Sequence, residues 1–495
     1  MRIITGAAGA AAVILTLTGA TDGTNWAAAL RQDAQAFHAD IAANHPGVTD
    51  VANPQFAGQN DRELALAMRR ADQTLDFAGY WFAMRAYAAA FDDGHLDFGG
   101  ARDKKLPQLI TRWPGFLTSF AYDGRQRVVT RATSSPLPLG AELIDCDGKT
   151  ADALAAANVG EFSGRWFLAA TRMQEGGRLF VDEGNPWVSR PATCTFQVGS
   201  RRTRVKLTWT PIGPAERDRQ LARTFSRAAE PIGMRTLPDG TVWLTLSDFK
   251  ADPQGPAAKA LVPLIAHLTA APEVLRDAPA IVLDLRGNHG GSSDWSRQLA
   301  RLVWGKAAVD AVNLGSDGVE WRASRANIAT LKEYAAALDA SSTSSPEMRS
   351  WLRETITGME SALAAGKAMW SNVSAPEVSS SPAVPAPVIR RSVLMITDPG
   401  CGSACLDAAD LWLALGAVHV GQETSADTIY MDARKDALPS GFGRAIVPMK
   451  VYRGRKRGSN VPLIPTYVFR DSLADTPRLE RRVQAVIHEI RDRAS

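Results

Sequence analysis

The sequence predicts a mixed α/β fold in which a helical N-terminal region and an inserted β-rich domain precede a parallel α/β core. Three observations support this prediction. Residues 24–92 show helical periodicity, residues 106–212 contain short β-patterned runs, and the chain after residue 236 alternates apolar runs with helical stretches. Continuous apolar runs are typical of strands that are buried on both faces of a parallel sheet.

The composition is that of a globular protein. At 495 residues the chain is long enough for two or three domains, and hydrophobic residues make up 45% of it. The 56 Lys and Arg residues exceed the 52 Asp and Glu residues by only four, which does not indicate nucleic-acid binding. The basic run RGRKRG at 453–458 is therefore expected to be a solvated loop.

Residues 1–20 resemble a secretory signal peptide. One arginine precedes an apolar stretch, and Thr18-Gly19-Ala20 supplies small residues for cleavage. The apolar stretch is too short and too often interrupted by Thr and Gly for a membrane anchor, and no later segment is apolar enough to span a bilayer. We expect an exported protein, periplasmic or secreted, without a stable membrane span after signal removal.

The helical N-terminal region, residues 24–100, begins with a periodic segment that stops at His45-Pro46-Gly47. It ends in FDDGHLDF, where an Asp-Gly turn places His95 directly after a helix. The β-rich domain follows at 106–212. Its segment PLPLGAELIDCDGKTADALAAA reads as a strand, a tight turn and a helix, which is typical of a PDZ-like domain that binds extended peptides by strand addition. Any small β-rich insert would also show this pattern.

The α/β core is expected at 225–495. The runs TVWLTLSDF, AIVLDLRG and SVLMITD predict buried strands, and helical stretches lie between and after them. A segment at about 319–367 is helical by composition and is a candidate lid over the cleft. A Ser/Pro/Ala-rich linker follows it.

Three short segments carry residues that suit catalysis: DDGHLD, LDLRGNHGGSS and DPGCGSACLDAAD. Each alone has an ordinary explanation, since a lone histidine is most often structural, a glycine turn joins a strand to a helix, and a serine at a helix start is usually an N-cap. Together they supply what acyl transfer needs. Ser403 is the candidate nucleophile, an imidazole is the base, and the backbone at Ala404 with Gly290 or Gly291 offers donors for an oxyanion.

The segments IVLDLRGNHGG and LMITDPGCGSACLDAADLWLALGAVHVGQET resemble the two core motifs of the tail-specific, or carboxyl-terminal processing, serine protease family. The order of helical region, PDZ-like insert and α/β core also agrees. The resemblance implies a crotonase/Clp-protease-like core and the cleavage of peptide bonds. By position it makes Ser403 the nucleophile and takes the oxyanion donors from Ala404 and Gly290 or Gly291.

One branch of that family uses a Ser-Lys dyad, but Asp427 stands where its lysine would fall, in GQETSADTIY. The other branch, which resembles the tricorn core proteases, uses Ser and His, with the histidine in an Asp-Gly-His context. DDGHLDF fits this context, so the resemblance implies that His95 is the general base. His289, inside the glycine turn, is the competing candidate, and His419 is expected to be packed on a core strand.

The chain departs from the Ser-His branch at the group that orients the histidine. That branch uses a Glu a few residues before a Pro near the C-terminus, and here RGSNVPLIP has Ser459 and Asn460 at this place. Asparagine orients imidazole in Cys-His-Asn proteases, although an uncharged partner stabilises imidazolium less. Asp427 is a second candidate for this role if its loop folds back towards His95. The sequence does not decide between Asn460 and Asp427.

Four cysteines, Cys146, Cys194, Cys401 and Cys405, match no common zinc pattern. An exported protein permits disulfides, and Cys401 and Cys405 flank Ser403 at a spacing that allows them either to pair or to remain two small buried thiols. No metal or organic cofactor is implied.

The leading hypothesis is therefore an exported serine peptidase. The missing Glu motivates a second hypothesis, a catalytically silent peptide- or ligand-binding protein of the same fold. A third, an acyl-CoA enzyme of crotonase type, is disfavoured because neither the export signal nor the PDZ-like insert suits a CoA substrate.

Overall fold

The computed structural model of the protein describes residues 23–225, 230–250, 252–314, 318–340, 346–371 and 392–494. The predicted signal peptide at 1–20 and nearly all of the predicted Ser/Pro/Ala-rich linker lie outside these residues. None of the helices in the described ranges combines the length and apolar character that crossing a membrane requires.

The strands are short and are listed here in chain order: β1 (Asp97–Gly100), β2 (Arg112–Trp113), β3 (Phe116–Phe120), β4 (Gln126–Arg131), β5 (Glu142–Cys146), β6 (Lys149–Thr150), β7 (Thr193–Val198), β8 (Arg201–Lys206), β9 (Thr210–Pro211), β10 (Gly233–Thr236), β11 (Val242–Thr245), β12 (Ala280–Asp284), β13 (Gly318–Arg322), β14 (Met369–Ser371), β15 (Ser392–Thr397), β16 (Val418–Gly421), β17 (Tyr430–Ala437), β18 (Gly443–Arg453) and β19 (Tyr467–Val468).

The α-helices are, in the same order, α1 (Trp26–Asn44), α2 (Phe56–Ala71), α3 (Phe77–Ala89), α4 (Ala151–Ala155), α5 (Glu161–Ser163), α6 (Ala169–Glu175), α7 (Pro214–Leu221), α8 (Pro256–Ala270), α9 (Glu273–Arg276), α10 (Ser293–Trp304), α11 (Lys306–Asp310), α12 (Arg325–Asp339), α13 (Pro346–Ala364), α14 (Ala404–Ala414) and α15 (Thr476–Ala494).

The core is a six-stranded sheet in the order β10-β11-β12-β15-β16-β19, parallel from β11 onwards. Helices α8, α10 and α14 pack on one face, where Leu283 of β12 meets Trp412 of α14 in a single apolar cluster. Helix α15 covers the other face through Val483 and its neighbours. The predicted strands and the mixed α/β class are confirmed, because β11, β12 and β15 are adjacent and buried on both sides.

A second sheet, in the order β1-β18-β13-β14 with β17 also paired to β18, supports the N-terminal helices. Phe37 of α1, Tyr80 of α3 and Phe98 of β1 share one apolar cluster with Val447 of β18. The helical N-terminal region is therefore packed on a sheet that belongs largely to the C-terminal half of the chain.

The segment predicted to be helical at about 319–367 contains α12 and α13, but β13 and β14 flank them. These strands pair with each other, as at Trp321 and Trp370, and β13 also pairs with β18. Composition missed them because both strands are short. The segment packs against the second sheet and the end of α1, where Asn327 Nδ2 donates to Asn44 O at 3.0 Å. The structure thus places this segment against the second sheet, and its role as a lid stays a prediction.

The β-rich region forms a sheet in the order β3-β4-β5-β7-β8, with β6 paired to β5. Asp147 and Gly148, with φ of 49° and 83°, form the predicted tight turn between β5 and β6. A disulfide between Cys146 and Cys194 joins β5 to β7 inside the apolar cluster of this region.

The basic run at 453–458 is not the solvated loop that the sequence suggested. Arg457 is buried and pairs with Asp410 at 2.9 Å, and Arg455 pairs with Asp407. Both carboxylates belong to α14. The two ion pairs therefore connect the loop that contains this run to α14, the helix that follows Ser403.

Candidate active site

Ser403 lies in a sharp turn between β15 and α14. Its backbone has φ of 54° and ψ of −126°, a region that costs a non-glycine residue on the order of 1–3 kcal/mol. Its side chain does not cap α14, so the ordinary role of a serine at a helix start does not apply. A serine in such a strained strand-to-helix turn presents its hydroxyl outwards, as nucleophilic serines of α/β-hydrolases do.

A disulfide between Cys401 and Cys405 closes this turn around Ser403. Both sulfur-bearing residues are fully buried. Of the two interpretations of these cysteines, the structure shows the paired one.

Gly290 contacts Ser403 from the turn that follows β12. Its φ is 94°, and a Cβ placed on it would lie 2.7 Å from Ser403 Cβ and 2.9 Å from Ala404 N. Such distances exclude any side chain at 290, so only glycine allows the two turns to approach this closely. Among the described residues no hydrogen-bond partner is seen for the N–H of Ala404, which is one of the unpaired donors at the start of α14.

The N–H groups of the two glycines have different surroundings. The N–H of Gly290 donates to Asn288 Oδ1 at 2.8 Å, while Asn288 Nδ2 donates to Leu246 O at 2.7 Å. Gly291, with φ of 138°, packs so closely against Phe249 O that a Cβ would overlap it. The glycine turn is thus fixed between Ser403 on one side and the end of β11 on the other.

Asp398 joins the two turns. Its carboxylate accepts from the N–H of Gly287 at 2.7 Å and from the N–H of Gly400 at 2.8 Å. Burial raises the pKa of Asp398, and the two N–H donors lower it by less. The pKa therefore lies above its ordinary value. Beside it, the DLRG motif forms a buried ion pair, with Arg286 Nη2 2.6 Å from Asp284 Oδ2. The polar residues of both motifs therefore hold the backbone in place.

His95 follows a loop at the end of α3. Its N–H donates to Asp93 Oδ1 at 2.9 Å, and Thr428 Oγ1 donates to the same oxygen at 2.7 Å. The imidazole is half-buried, and its Nδ1 is buried without a hydrogen-bond partner. The carboxylate of Asp93 thus links the main chain at His95 to residue 428.

The residues next to Thr428 contact Ser403. Asp427 accepts from the N–H of Ser403 at 3.0 and 3.3 Å, and its carbonyl accepts from the N–H of Asn460 at 2.8 Å. Asn460 Nδ2 in turn donates to Asp92 O at 2.8 Å. One connected cluster therefore contains Ser403, Asp427, Asn460 and the loop of His95. No hydrogen bond among the described residues joins the His95 ring to Ser403, Asn460 or Asp427.

Comparisons with known proteins place this geometry in a known fold. No protein-family model and no curated protein matches the chain. The solved structure of mature CPAF aligns with it at a TM-score of 0.59 and 13% identity, covering 93% of this chain and 97% of that one. CPAF complexed with lactacystin gives the same score and identity over 93% and 98%. The chain has the fold of CPAF.

At 13% identity the similarity to CPAF shows the fold alone, and the chemistry has to be argued from the site. A photosystem II D1 C-terminal processing protease also aligns, with 12% identity over 89% of this chain and 92% of that one. Its TM-score of 0.32 is too low to support an argument.

Two further histidines, His289 and His419, lie in or near the core motifs. His289 is exposed and lies against Gly400, in the outer part of the glycine turn. His419 is buried on β16 beside Thr397 Oγ1 at 2.7 Å, and burial lowers its pKa to about 4. The expectation that His419 is packed is confirmed.

Sequence reasoning missed the contribution of the β-rich region to this part of the CPAF fold. Arg165 Nη1 donates to Ala426 O at 2.6 Å, and its guanidinium lies against Gly94. Gln174 Nε2 donates to Pro399 O at 2.6 Å. Nothing in the sequence marks Arg165 or Gln174, because each bonds to a backbone carbonyl of a distant segment. Asp398 was detectable as a polar residue at the carboxyl end of an apolar strand.

Within the residues that the structure describes, no group of three or more His, Cys, Asp or Glu side chains is arranged to hold a metal ion.

Proposed function

We propose that the chain is an exported serine-type endopeptidase that hydrolyses peptide bonds through an acyl-enzyme, with Ser403 as nucleophile and His95 as general base. One observation supports this most directly. Ser403 has a strained backbone at a helix start, does not cap that helix, and contacts Gly290 beside the N–H of Ala404. The CPAF fold and the resemblance of both core motifs to the tail-specific protease family agree with a peptidase.

In this mechanism, His95 accepts the proton of Ser403 Oγ while that oxygen attacks the peptide carbonyl carbon. The negative charge that develops on the carbonyl oxygen is stabilised by backbone N–H groups beside Ser403. Collapse of the intermediate breaks the C–N bond, and the leaving amine takes the proton from His95. A water molecule, deprotonated by His95, then hydrolyses the acyl-enzyme and restores both side chains.

The oxyanion donors follow from the surroundings of the two turns. Ala404 supplies one N–H, at the positive end of the α14 dipole. Since the N–H of Gly290 already donates to Asn288, we assign the second donor to Gly291. Gly290 contributes by lacking a side chain, which leaves room for the substrate carbonyl next to Ser403.

Asn460 is the better candidate to orient His95. Asp92 O can only accept, so Asn460 must turn its NH₂ towards it and its Oδ1 away. Asn460 Oδ1 and His95 Nδ1 are both buried without partners, and a hydrogen bond between them would satisfy both atoms and leave Nε2 as the base. The carboxylate of Asp427 instead fixes the backbone of Ser403.

We propose that the substrate is a peptide or protein bound in extended form, by strand addition to the PDZ-like β-rich region. β8 is the last strand of that sheet and is largely exposed, so its outer edge is available for pairing. Export agrees with the two disulfides, because disulfides persist in oxidising compartments.

The test is a fluorophosphonate probe on the purified protein without residues 1–20, with the adduct mapped by mass spectrometry. We expect labelling at Ser403 that is lost in His95→Ala. His289→Ala is the matched control, because it removes an imidazole near the same turn, and it should keep the label. Loss of label in His289→Ala but not in His95→Ala would show that the base is assigned wrongly.

The second candidate function is a silent peptide- or ligand-binding protein. It is favoured by the absence of any hydrogen bond between His95 and Ser403 among the described residues. A folded protein that binds extended peptides but leaves Ser403 unlabelled would establish this function instead.

A further inference from the structure

His45 is a fully buried histidine that the mechanism above does not use. It follows the last residue of α1, where its N–H donates to Ile41 O at 2.9 Å. Its ring stacks on Phe56 with centroids 4.3 Å apart and meets the ring of Tyr430 edge-on at 4.9 Å. An imidazole enclosed in this way cannot form hydrogen bonds with solvent, so both of its ring nitrogens need hydrogen-bond partners within the protein.

Both ring nitrogens of His45 have partners. Nδ1 accepts from the N–H of Gly47 at 2.9 Å, so the ring proton is on Nε2. Nε2 lies 3.2 Å from Asp93 Oδ2 and donates to it. Burial lowers the pKa of His45, more than the neighbouring carboxylate of Asp93 raises it, which keeps the ring neutral. The surroundings thus fix one tautomer, and that tautomer donates to Asp93.

Asp93 connects His45 to the reacting groups. Its Oδ1 receives the N–H of His95 and the hydroxyl of Thr428, and Thr428 is adjacent to the residue that holds the N–H of Ser403. Burial alone would raise the pKa of Asp93, but the hydrogen bonds that its carboxylate accepts, first from His45 and then from the N–H of His95, help to hold that pKa below its ordinary value. The ionised carboxylate therefore sets the distance between the His95 loop and the Ser403 turn.

We propose that His45 is a positioning residue for the hydrolytic reaction: by donating Nε2–H to Asp93, it fixes the carboxylate that holds the His95 main chain against the segment beside Ser403. This inference rests on the proposed function, in which His95 is the base. His45 itself does not touch the reacting atoms.

A role in packing alone would give a different result. The ring fills space between Phe56 and Tyr430, and an apolar side chain of similar size would fill it as well. Positioning requires the donor to Asp93. The two roles are therefore separated by comparing a donor-free replacement with one that keeps an N–H donor at similar reach.

The experiment compares His45→Phe with His45→Gln, using the hydrolysis of a peptide substrate as the readout. In His45→Phe we expect kcat to fall about 10- to 100-fold, as when a buried charged group loses one hydrogen bond, with KM within about twofold. His45→Gln should recover most of kcat. His45→Met is a second donor-free variant in case the Phe ring does not fit. His38→Gln, at a half-buried histidine that pairs with Asp61 at 2.8 Å, is the matched control and should leave kcat unchanged.

The pH profile adds a readout that packing does not change. Without the donor from His45 the pKa of Asp93 rises, so the loss of kcat on the acid side should begin at a higher pH in His45→Phe than in His45→Gln. The other charged and titratable groups near this pair are His95 and Asp92 on the same loop, Arg165 against that loop, and Asp50, Tyr430 and Arg453 from the elements packed around it. None of these is altered by the substitutions.

A spectroscopic measurement keeps this test separate from that of the proposed function. In ¹⁵N-histidine-labelled protein, the His95 amide resonance should shift or broaden in His45→Phe and return towards the wild-type position in His45→Gln. If wild-type Ser403 is never labelled but these shifts occur, the peptidase proposal fails while His45 still positions the His95 loop. An unchanged His95 resonance, or equal kcat in all variants, overturns the proposal for His45.

Discussion

Ser403, the nucleophile that we propose, has a strained backbone. Its backbone conformation, with φ of 54°, is one that glycine adopts without cost. We expect Ser403→Gly to be more stable than Ser403→Ala by about 1 kcal/mol in free energy of unfolding, because alanine keeps the strain and glycine releases it. Urea denaturation of both variants measures this. Both should lack hydrolytic activity, and equal stabilities would show that the turn stores no strain.

His95 is expected to matter more for turnover than any other histidine. His95→Ala should lower kcat on the order of 10³-fold or more, because Ser403 would lose the group that takes its proton. Steady-state hydrolysis of a peptide measures the effect. His289→Ala, whose imidazole is exposed, is the control and should stay within a fewfold of the wild type.

The role that we propose for Asn460 in orienting His95 can be tested in the same way. Asn460→Ala should lower kcat about 10- to 100-fold with little change in KM, since the imidazole would lose the hydrogen bond that we propose between His95 Nδ1 and Asn460 Oδ1. The pH dependence of kcat separates this from a loss of substrate binding. If Asn460→Ala were fully active, the hydrogen bond that we assign to His95 Nδ1 would not form.

At the scale of elements, the sequence was most informative where burial and turn chemistry leave few alternatives. The strands β11, β12 and β15 were predictable because they are buried on both faces. The glycine turn was predictable because Gly290 allows no side chain next to Ser403.

Features that depend on tertiary contacts were not predictable. β13 and β14 are only five and three residues long and exist through pairing with distant partners. Arg457 looked like a surface cation until α14 supplied Asp410. His45 directly follows the last residue of α1, a position that many polar residues can occupy. Its contact with Asp93 arises only in the folded chain, so the sequence does not predict it.

The basic side chains of the edge strand β8 lead to a prediction about the charge of the substrate. Arg202, Arg204 and Lys206 alternate along it, so they share one face, and they are exposed. If peptides add to this edge, Arg202→Glu with Arg204→Glu should lower kcat/KM for an acidic peptide about fivefold and leave a neutral peptide nearly unaffected.

The matched control for this charge reversal is Lys259→Glu with Arg276→Glu, which changes the net charge equally on exposed positions of α8 and α9. It should not discriminate between the two peptides. An equal loss for both peptides in the β8 variant would indicate that β8 carries charge only to prevent strand pairing between molecules.

For the whole molecule, buried histidines make stability depend on pH. His419 has a pKa lowered to about 4 by burial, so the unfolded chain binds a proton at this position at a higher pH than the folded chain does. The stability that neutral His419 contributes is complete above pH 6.5, the ordinary pKa of a histidine. It falls as the pH drops below that value and is lost near pH 4. The loss should be on the order of 3 kcal/mol.

Urea unfolding of the wild type and of His419→Phe between pH 7 and pH 4 measures this dependence. We expect a flatter profile in His419→Phe, because the group that protonates on unfolding is gone. Parallel profiles would assign the acid sensitivity to other groups, such as the buried His45.

The site is a property of the complete fold. The N-terminal region supplies His95, the core supplies Ser403, and Arg165 of the β-rich region bonds to the backbone between them. A fragment that lacks residues 106–212 would lose the contacts of Arg165 and Gln174 with the segments around Ser403. The alignment with CPAF likewise extends over 93% of the chain.

The bond between Cys401 and Cys405 makes the backbone around Ser403 a small covalent ring. A ring of this kind exists only where thiols are oxidised, so a newly synthesised chain in a reducing compartment carries the same serine on an open segment. Under the export that we propose, the covalent ring around Ser403 would therefore close only after synthesis, once the chain reaches an oxidising compartment.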